Sequence, residues 1–340
     1  MTNFVSSVLQ SGGCIKPLYI PFNEHTNDVD DTYCMTSMNP SVLHVNDKIY
    51  GIIRCVNYVF FHSEGKKIYH NHGTLVYLHP ENDLHLRTEN HLVELDSDLN
   101  IIASSKINMV FDKYYEPKWD FRGLEDARLM YWNDELYIAG VRRDYDDVGT
   151  GRMDLSKIQI QGNEVNEVSR TRLSPPMNTQ SYCEKNWMPV LNSPFQFIKW
   201  TMPTEVVKVN TKAGMHDIPN TYRTHANTKV ISDINADLRG SSQVNEWGDG
   251  YITCTHECNL FNNDIGTKDA TYRHRFILFD KCFNITGYSD SFSFMDGHVE
   301  FCCGMSILGT EVLLTFSFQD NAAYILRFNS NLFNSIIKRI

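Results

Sequence analysis

The stretch RGLEDARLMYWNDELYIAGVRR, residues 122–143, carries the pattern that decides the fold. Charged side chains lie at both ends of this stretch: Glu125, Asp126 and Arg128 near its start, and Arg142 and Arg143 at its end. Two apolar runs joined by Asn133-Asp134 predict two antiparallel strands and a tight turn. Because side chains alternate along a strand, we expect Asp126 and Arg128 on one face, with Arg142 or Arg143 returning to that end.

An acid that faces several cations suits an anionic or polyhydroxylated ligand. Taken alone, the same residues are also typical of a surface hairpin with a structural ion pair. The repetition of the unit along the chain favours the first interpretation.

Five units share one order: a first strand, a turn, a return strand and an outer strand. They start at residues 39, 125, 185, 240 and 299, so the later starts are 60, 55 and 59 residues apart and the first gap is 86. A period of this size with several strands predicts propeller blades. We therefore predict an all-β fold, a single five-bladed β-propeller over residues 39–340, with residues 1–38 as an irregular segment packed on it. Two β-sandwiches, the alternative, need shorter strand spacing.

The predicted outer strands follow the return strands and lie at residues 90–99, 157–160, 205–209, 274–280 and 324–329. In a propeller, the first strands surround a central pocket. Polar residues at the strand ends should therefore converge there, although they are far apart in sequence.

Composition restricts the class of function. The net charge of −10 argues against a nucleic-acid partner, and a hydrophobic content of 42% indicates a globular protein. No apolar run is long enough to span a membrane, and residues 1–18 lack the pattern of a secretory signal. Nine cysteines without zinc-site spacing indicate reduced thiols. We expect a cytoplasmic protein without a metal or another cofactor.

The residues expected to converge are Arg54, Asn57, Asp126, Arg128, Arg142, Arg143, Lys185, Asn186, Ser241, Ser242, His256, Asp296, Glu300, Gln319 and Asp320. Carboxylates and amides bind hydroxyls, cations hold an anion, and a carboxylic acid can protonate a leaving oxygen. Four aromatic residues are candidates for stacking on a sugar ring: Tyr58, Trp119, Trp187 and Tyr272. This composition predicts a site for a sugar together with a phosphate.

Five short motifs carry a family resemblance: GLEDAR (123–128), EKNWMP (184–189), GSS (240–242), YRHRF (272–276) and FCCG (301–304). In this order they resemble the β-mannoside phosphorylases and mannosidases of glycoside hydrolase family 130 and the related β-mannosyltransferases, which share a five-bladed propeller. The resemblance implies that Asp126 is the general acid and acts through a substrate hydroxyl. Ala127 stands where many members have proline.

The resemblance also implies binding roles. It places Arg142 or Arg143, Lys185 and His256 near the phosphate-binding positions, and Asp296 near a sugar-binding acid. His256 on a strand is equally typical of a hydrogen-bonded core histidine.

Three functions are compatible with these residues. The first is inverting transfer of a mannosyl or similar hexosyl group between a phosphate or nucleotide-sugar and a glycan acceptor. The second is an inverting β-glycoside hydrolase that uses water and a second carboxylate such as Glu300, and the third is a non-catalytic glycan-binding propeller. The number of cations favours transfer, because attack by water needs no arginine cluster. Homo-oligomerisation remains open.

Overall fold

The structure, a computed structural model, describes residues 3–20, 36–60, 70–72, 75–78, 85–176, 181–212, 220–228, 230–234, 236–262 and 268–340. Within these residues the protein consists almost entirely of β-strands, with two short α-helices and one 3-10 helix. None of the helices described is long and apolar enough to cross a membrane.

The N-terminal part forms helix α1 (Phe4–Gln10) and strand β1 (Cys14–Pro17). The first unit then contains β2 (Thr36–Val45), β3 (Lys48–Val56), an insertion of β4 (Val59–Phe60), β5 (His70–His72) and β6 (Leu75–Leu78), and finally β7 (Leu86–Leu95) and β8 (Ile101–Asn108). A 3-10 helix at Val110–Tyr114 and strand β9 (Phe121–Arg122) precede the second unit, which consists of β10 (Glu125–Trp132), β11 (Glu135–Arg142), β12 (Arg152–Gln161) and β13 (Glu164–Arg172).

The remaining units follow in chain order. The third contains β14 (Met188–Pro189), β15 (Gln196–Trp200), β16 (Thr204–Val209) and β17 (Thr221–Asn227). The fourth contains β18 (Arg239–Gly240), β19 (Asn245–Trp247), β20 (Gly250–Asn262), β21 (Lys268–Phe279) and β22 (Ile285–Ser289). The fifth contains β23 (Glu300–Leu308), β24 (Glu311–Phe318) and β25 (Ala322–Asn329), and the chain ends with α2 (Asn331–Ile336) and β26 (Ile337–Arg339).

Antiparallel pairing joins neighbouring strands within each unit. The first strands of successive units also contact one another: β2 contacts β10, β10 contacts β14, and β19 contacts β23. A bridge between Val190 and Val244 joins the third and fourth units, and β23 contacts β2. Since these contacts return to their starting strand, the first strands form a closed ring. The predicted all-β propeller fold is confirmed, and the described strands fall into five units.

Gln243 connects the ring at its centre. Its side chain is fully buried and donates to the backbone oxygens of Val42 and Leu129, while its amide oxygen accepts the N–H of Met305 at 2.8 Å. A buried amide in which donors and acceptor are satisfied holds its partners in one arrangement. This side chain therefore links the fourth unit to the first, second and fifth units.

The outer strands differ from the prediction. The segments predicted as outermost correspond to β7, β12, β16, β21 and β25, and each of these is the third strand of its unit. Two of the outer strands were missed because they bury few residues: only Ile107 is buried in β8 and only Thr221 in β17. A strand exposed along most of its length lacks the alternation that identifies strands in a sequence.

The outermost strand of the fifth unit comes from the opposite end of the chain. Strand β1 pairs antiparallel with β25, from Cys14 opposite Arg327 to Pro17 opposite Tyr324. Helix α1 packs beside it and buries Phe4 completely against the rings of Phe276 and Phe292. Residues 1–38 are therefore irregular only in part, since they include α1, β1 and the start of β2. Residues 21–35 lie outside the described residues, and the domain boundary at residue 39 stays a prediction.

Candidate functional site

A cavity of about 230 Å³ lies at one end of the ring of first strands. All five units contribute to its walls, through residues such as Asn39, Asp126, Lys185, Arg239 and Phe301. Above it, the insertion of the first unit reaches the long hairpin of the fourth, because β6 contacts β21. Both elements line the cavity, the first through Tyr77 and the second through Asp269. Two elements that extend beyond the ring therefore contribute to its walls.

Asp126 lies at the start of β10, where a β-bulge separates Glu125 from Arg128. The bulge places Asp126 in the left-handed region of backbone conformation, with a φ of 54°. Its Oδ1 accepts two hydrogen bonds of 2.7 Å, one from Nη1 of Arg54 and one from Nδ2 of Asn39. Strained backbone of this kind is frequent at functional sites.

The charges around Asp126 favour its ionised form. Burial acts to raise the pKa of this carboxyl group. The charges of Arg54, Arg128 and Lys185 and the hydrogen bond from Asn39 together lower the pKa by more than burial raises it. The net pKa of Asp126 is below its ordinary value. At neutral pH the unliganded protein therefore holds Asp126 as a carboxylate.

Asp320, on the turn between β24 and β25, is another carboxylate in the cavity, which Glu125 and Asp269 also line. Burial raises the pKa of Asp320 to about 6; Arg54 and Lys185 oppose the shift, while Asp126 and Glu125 add to it. In the described part of the chain, its carboxylate has no hydrogen-bond partner. The sequence placed Asp320 among the converging residues without a role, because no local pattern shows that it is buried beside a second acid.

Besides Arg54, three cations line the cavity: Arg143, Lys185 and Arg239. The guanidinium of Arg143 lies over the rings of Phe121 and Tyr182, at 5.3 and 5.4 Å, and its Nε donates to the carbonyl of Gly149. Lys185 is exposed and has no hydrogen-bond or ion-pair partner among the residues described. Arg239, which the sequence analysis did not select, pairs with Asp237 at 3.1 Å.

Two further predicted residues line the cavity in other roles. Arg54 is 4% exposed, and besides Asp126 it contacts the hydroxyl of Tyr58 at 2.6 Å and Glu125 at 3.4 Å. Its charge is thus used within the protein. Asn186 also lines the cavity, and its Oδ1 accepts a hydrogen bond from Arg128.

His256 lines the cavity as well, but it is neutral. Its Nδ1 lies 2.9 Å from the hydroxyl of Ser241, and its ring stacks on Tyr272. Burial, together with the charges of His274, Arg239, Lys185 and Arg128, holds its pKa well below the ordinary value. His256 can therefore contact a phosphate as a neutral polar group and not as a cation.

Arg128 lies beneath the cavity. It is fully buried, and it donates to the backbone oxygens of Ser241 and Asp126 at 2.8 and 2.7 Å. Asp126 and Arg128 do not share one open face because the bulge interrupts the alternation of the strand. Arg128 supports Asp126 from behind.

Besides Arg128, seven of the residues expected to converge do not line the cavity: Asn57, Arg142, Ser241, Ser242, Asp296, Glu300 and Gln319. Arg142 is 1% exposed and pairs with Asp112, Asp144 and Asp154. The Asn57 amide binds the backbone of His85 and Arg87, and Asp296 accepts hydrogen bonds from Asn3 and Ser293. Glu300 is fully buried and accepts the backbone N–H groups of Phe294, Met295 and Gly297.

Of the four aromatic residues proposed to stack on a sugar, two line the cavity and two do not. Tyr58 and Tyr272 line the cavity, whereas Trp187 is a core residue with 1% exposure. Trp119 packs against Gly149 outside the cavity. Among the residues described, no group of three or more His, Cys, Asp or Glu side chains is placed to hold a metal ion.

No family model and no curated protein matches the sequence. Solved structures nevertheless share its fold. One is a mannose phosphorylase from Leishmania mexicana in complex with a phosphate ion, with a TM-score of 0.51 and 11% identity over 99% of this chain and 95% of the other. A second is a β-1,2-mannobiose phosphorylase from Listeria innocua, with a TM-score of 0.51 and 9% identity over 95% and 96% of the two chains.

A third similar structure comes from work on glycoside hydrolase family 130, which contains mannoside phosphorylases and hydrolases of β-1,2 mannosidic linkages. Its TM-score is 0.51 at 12% identity, over 87% of this chain and 85% of the other. The fold implied by the family resemblance in the sequence is thereby confirmed. At these sequence identities the similarity concerns the fold alone. The activities named here belong to the similar proteins.

Proposed function

We propose that the protein transfers a mannosyl or similar hexosyl group, with inversion, between phosphate and a hydroxyl group of a glycan. The observation that carries the proposal is that Arg143, Lys185 and Arg239 line the same cavity as Asp126 and Asp320, two carboxylates whose pKa values are shifted in opposite directions. Cations suit the phosphate, and a pair of carboxylates with separated pKa values suits proton transfer.

The cations are arranged for an external anion. Arg54 and Arg128 are neutralised or hydrogen-bonded within the protein, whereas Lys185 has no partner among the described residues. Arg143 is held by two aromatic rings and one carbonyl, so that no carboxylate within the described residues forms an ion pair with it. A phosphate between Lys185, Arg143 and Arg239 would replace water by charge-assisted hydrogen bonds.

Asp126 then serves as the acid of the reaction. In the direction of cleavage, a phosphate oxygen forms a bond to the anomeric carbon while the bond to the leaving glycan oxygen breaks and that oxygen takes up a proton. In the unliganded site Asp126 is ionised, but a bound phosphate offsets the positive charge that lowers its pKa. Anion binding thus makes the proton available, and in the synthetic direction the carboxylate accepts it.

Asp320 supplies a nearby carboxyl group that is partly protonated near neutral pH. It is placed to bind a sugar hydroxyl and to share a proton with the site. Two neighbouring acids in an enclosed cavity are costly for stability, which favours a chemical role over simple glycan binding.

Hydrolysis is the second candidate, and Asp320 is the observation that favours it. An inverting hydrolase needs a second carboxylate to activate water. Glu300 is poorly suited, because three backbone N–H groups occupy its oxygens. Asp320 faces the cavity without a hydrogen-bond partner in the described region and would be the base.

The test is an assay with mannose 1-phosphate or GDP-mannose and a panel of glycan acceptors, measured as release of phosphate or GDP. The reverse reaction is measured with β-1,2-mannobiose in the presence and absence of phosphate. We expect phosphate release with mannose 1-phosphate and phosphate-dependent cleavage of the disaccharide. Cleavage at the same rate without phosphate supports the hydrolase instead, and GDP release identifies a nucleotide-sugar donor. The cytoplasmic location and any oligomeric state stay predictions.

A further inference from the structure

Asp144 is buried behind the candidate site, where its carboxylate joins three separate segments of the chain. It is 1% exposed. Its Oδ2 accepts the backbone N–H of Gly123 at 3.0 Å and lies 3.3 Å from Nη1 of Arg142, and its Oδ1 accepts the hydroxyl of Tyr115 at 3.2 Å. Each oxygen is thus used in a specific contact.

The bond to Gly123 fixes the start of the segment that carries Asp126. Gly123 has a φ of 100°, and a side chain there would meet the backbone oxygen of Thr88 at 2.4 Å. The next residue, Leu124, is held through its carbonyl by the amide of Asn90 at 2.8 Å. Asp126 follows two residues later. Its position therefore depends on where these side chains hold the preceding backbone.

Asp144 also lies directly after Arg143, one of the cations that face the cavity. The residues on both sides of Arg143 are anchored together, because the guanidinium of Arg142 contacts the carboxylate of Asp144 and the hydroxyl of Tyr115. The backbone oxygen of Asp144 accepts the N–H of Lys118 at 2.9 Å. The main chain at Arg143 is held from both sides.

We infer that Asp144 is a positioning residue: its carboxylate ties the backbone that carries Asp126 to the backbone that carries Arg143. The inference rests on the proposed function, in which Asp126 transfers the proton and Arg143 contacts the phosphate. It also gives Arg142, which lies outside the cavity, a role in holding Asp144. Displacing a catalytic group by about 1 Å can cost on the order of 100-fold in rate.

The same network contains a matched control. Asp154 is equally buried and also faces Arg142, at 3.5 Å from its Nε, but it forms no hydrogen bond to Gly123. Tyr115 and Tyr145 stack on each other at 4.7 Å, and the hydroxyl of Tyr145 donates to Asp154 as that of Tyr115 donates to Asp144. Asp154 also pairs with Arg172 at 3.4 Å, and Tyr145 accepts a hydrogen bond from Arg170 at 3.3 Å, but neither control residue bonds to the backbone that leads to Asp126.

The experiment compares Asp144→Asn with Asp154→Asn, and Tyr115→Phe with Tyr145→Phe. For each variant, kcat and KM for phosphate are measured together with the thermal midpoint and the affinity for inorganic phosphate from calorimetry. Asp144→Asn should lower kcat by about 10- to 100-fold, and Tyr115→Phe by several-fold. The two control variants should lose stability to a similar extent but keep kcat within about threefold per folded molecule.

Equal kcat values within both pairs would overturn the inference. If Asp144→Asn does not fold, the tyrosine pair decides by the same criterion. If the wild-type protein binds phosphate without turnover, the proposed function alone is refuted. The positioning role of Asp144 then requires that Asp144→Asn weaken phosphate binding at least about fivefold more than Asp154→Asn does. Absence of both turnover and phosphate binding in the wild type would overturn both.

Discussion

At the scale of single residues, Asp126 and Asp320 share a cavity, but their surroundings favour different protonation states. The charges of Arg54, Arg128 and Lys185 hold the pKa of Asp126 below its ordinary value in spite of burial. Burial and two neighbouring carboxylates raise the pKa of Asp320 to about 6 in spite of Arg54 and Lys185. The difference follows from direct contact: Arg54 bonds Asp126 at 2.7 Å and forms no hydrogen bond or ion pair with Asp320 in the described residues.

Replacing Asp126 by Asn should destabilise the protein at neutral pH. The folded pKa of Asp126 is depressed, so its stabilising contribution is present above the unfolded pKa and is lost as pH falls through the folded pKa. The variant also leaves the buried Arg54 without its closest charged partner. Thermal melts at about pH 7 should show a lower midpoint than the wild type, and an unchanged or higher midpoint contradicts this account.

Replacing Asp320 by Asn should have the opposite effect. Its folded pKa of about 6 exceeds the unfolded value, so the folded state binds the proton more tightly and loses stability as pH rises from about 4 to about 6. Since one pKa unit corresponds to ~1.4 kcal/mol, the variant should gain up to ~2–3 kcal/mol at about pH 7 and little at about pH 4. Urea unfolding at both pH values measures the difference. A gain independent of pH would be inconsistent with ionisation as its cause.

The surroundings of Asp126 show which features of the site could be predicted from the sequence. The sequence identified Asp126 and several cations that lie around it, because charged residues beside apolar strands are visible in the sequence. It did not show that Arg142 is buried with three carboxylates or that His256 is neutral. Both facts depend on partners distant in sequence.

At the scale of elements, the hairpin of β10 and β11 forms as predicted. Asn133 and Asp134 have φ values of 53° and 64°, as the tight turn requires. The bulge at Asp126 was not predicted, because strand alternation in a sequence contains no signal for one extra residue. The outer strands β8 and β17 were not predicted, since most of their residues are exposed.

A substitution at Gly123 tests how much the backbone conformation just before β10 matters. Gly123→Ala should destabilise the protein by more than ~2 kcal/mol and lower turnover, because a positive φ is combined with a contact of 2.4 Å to the backbone of Thr88. Gly162→Ala is the matched control: its φ is 62°, but no atom lies within 4 Å of the added carbon. It should cost only ~1–2 kcal/mol. Equal effects in urea unfolding would show that the packing at Gly123 is unimportant.

At the scale of the whole molecule, the two ends of the chain close the propeller. Strand β1 completes the fifth unit, while α1 fills an aromatic cluster between the fourth and fifth units. Neither was predicted, because the first residues show no repeat of the unit and β1 has only four residues. The repeated units, in contrast, were visible through their spacing and turns.

Phe4→Ala should lower the free energy of unfolding by ~3–5 kcal/mol, because Phe4 is fully buried among four other phenylalanine rings. Leu9→Ala in the same helix is the control, since Leu9 is 49% exposed and should cost less than ~1 kcal/mol. Turnover per folded molecule should remain unchanged in both. Similar losses of stability would mean that α1 does not anchor the fifth unit.

The central claim is that one enclosed site brings a phosphate and a protonated carboxyl group to the same glycosidic bond. It is tested most directly by phosphate release from mannose 1-phosphate with a glycan acceptor, in the wild type, Lys185→Ala and Asp126→Asn. The account predicts release by the wild type, an increase of about tenfold or more in KM for the sugar phosphate in Lys185→Ala, and a loss of ~100-fold or more in kcat in Asp126→Asn. An Asp126→Asn variant as active as the wild type, or release that is insensitive to Lys185, would contradict it.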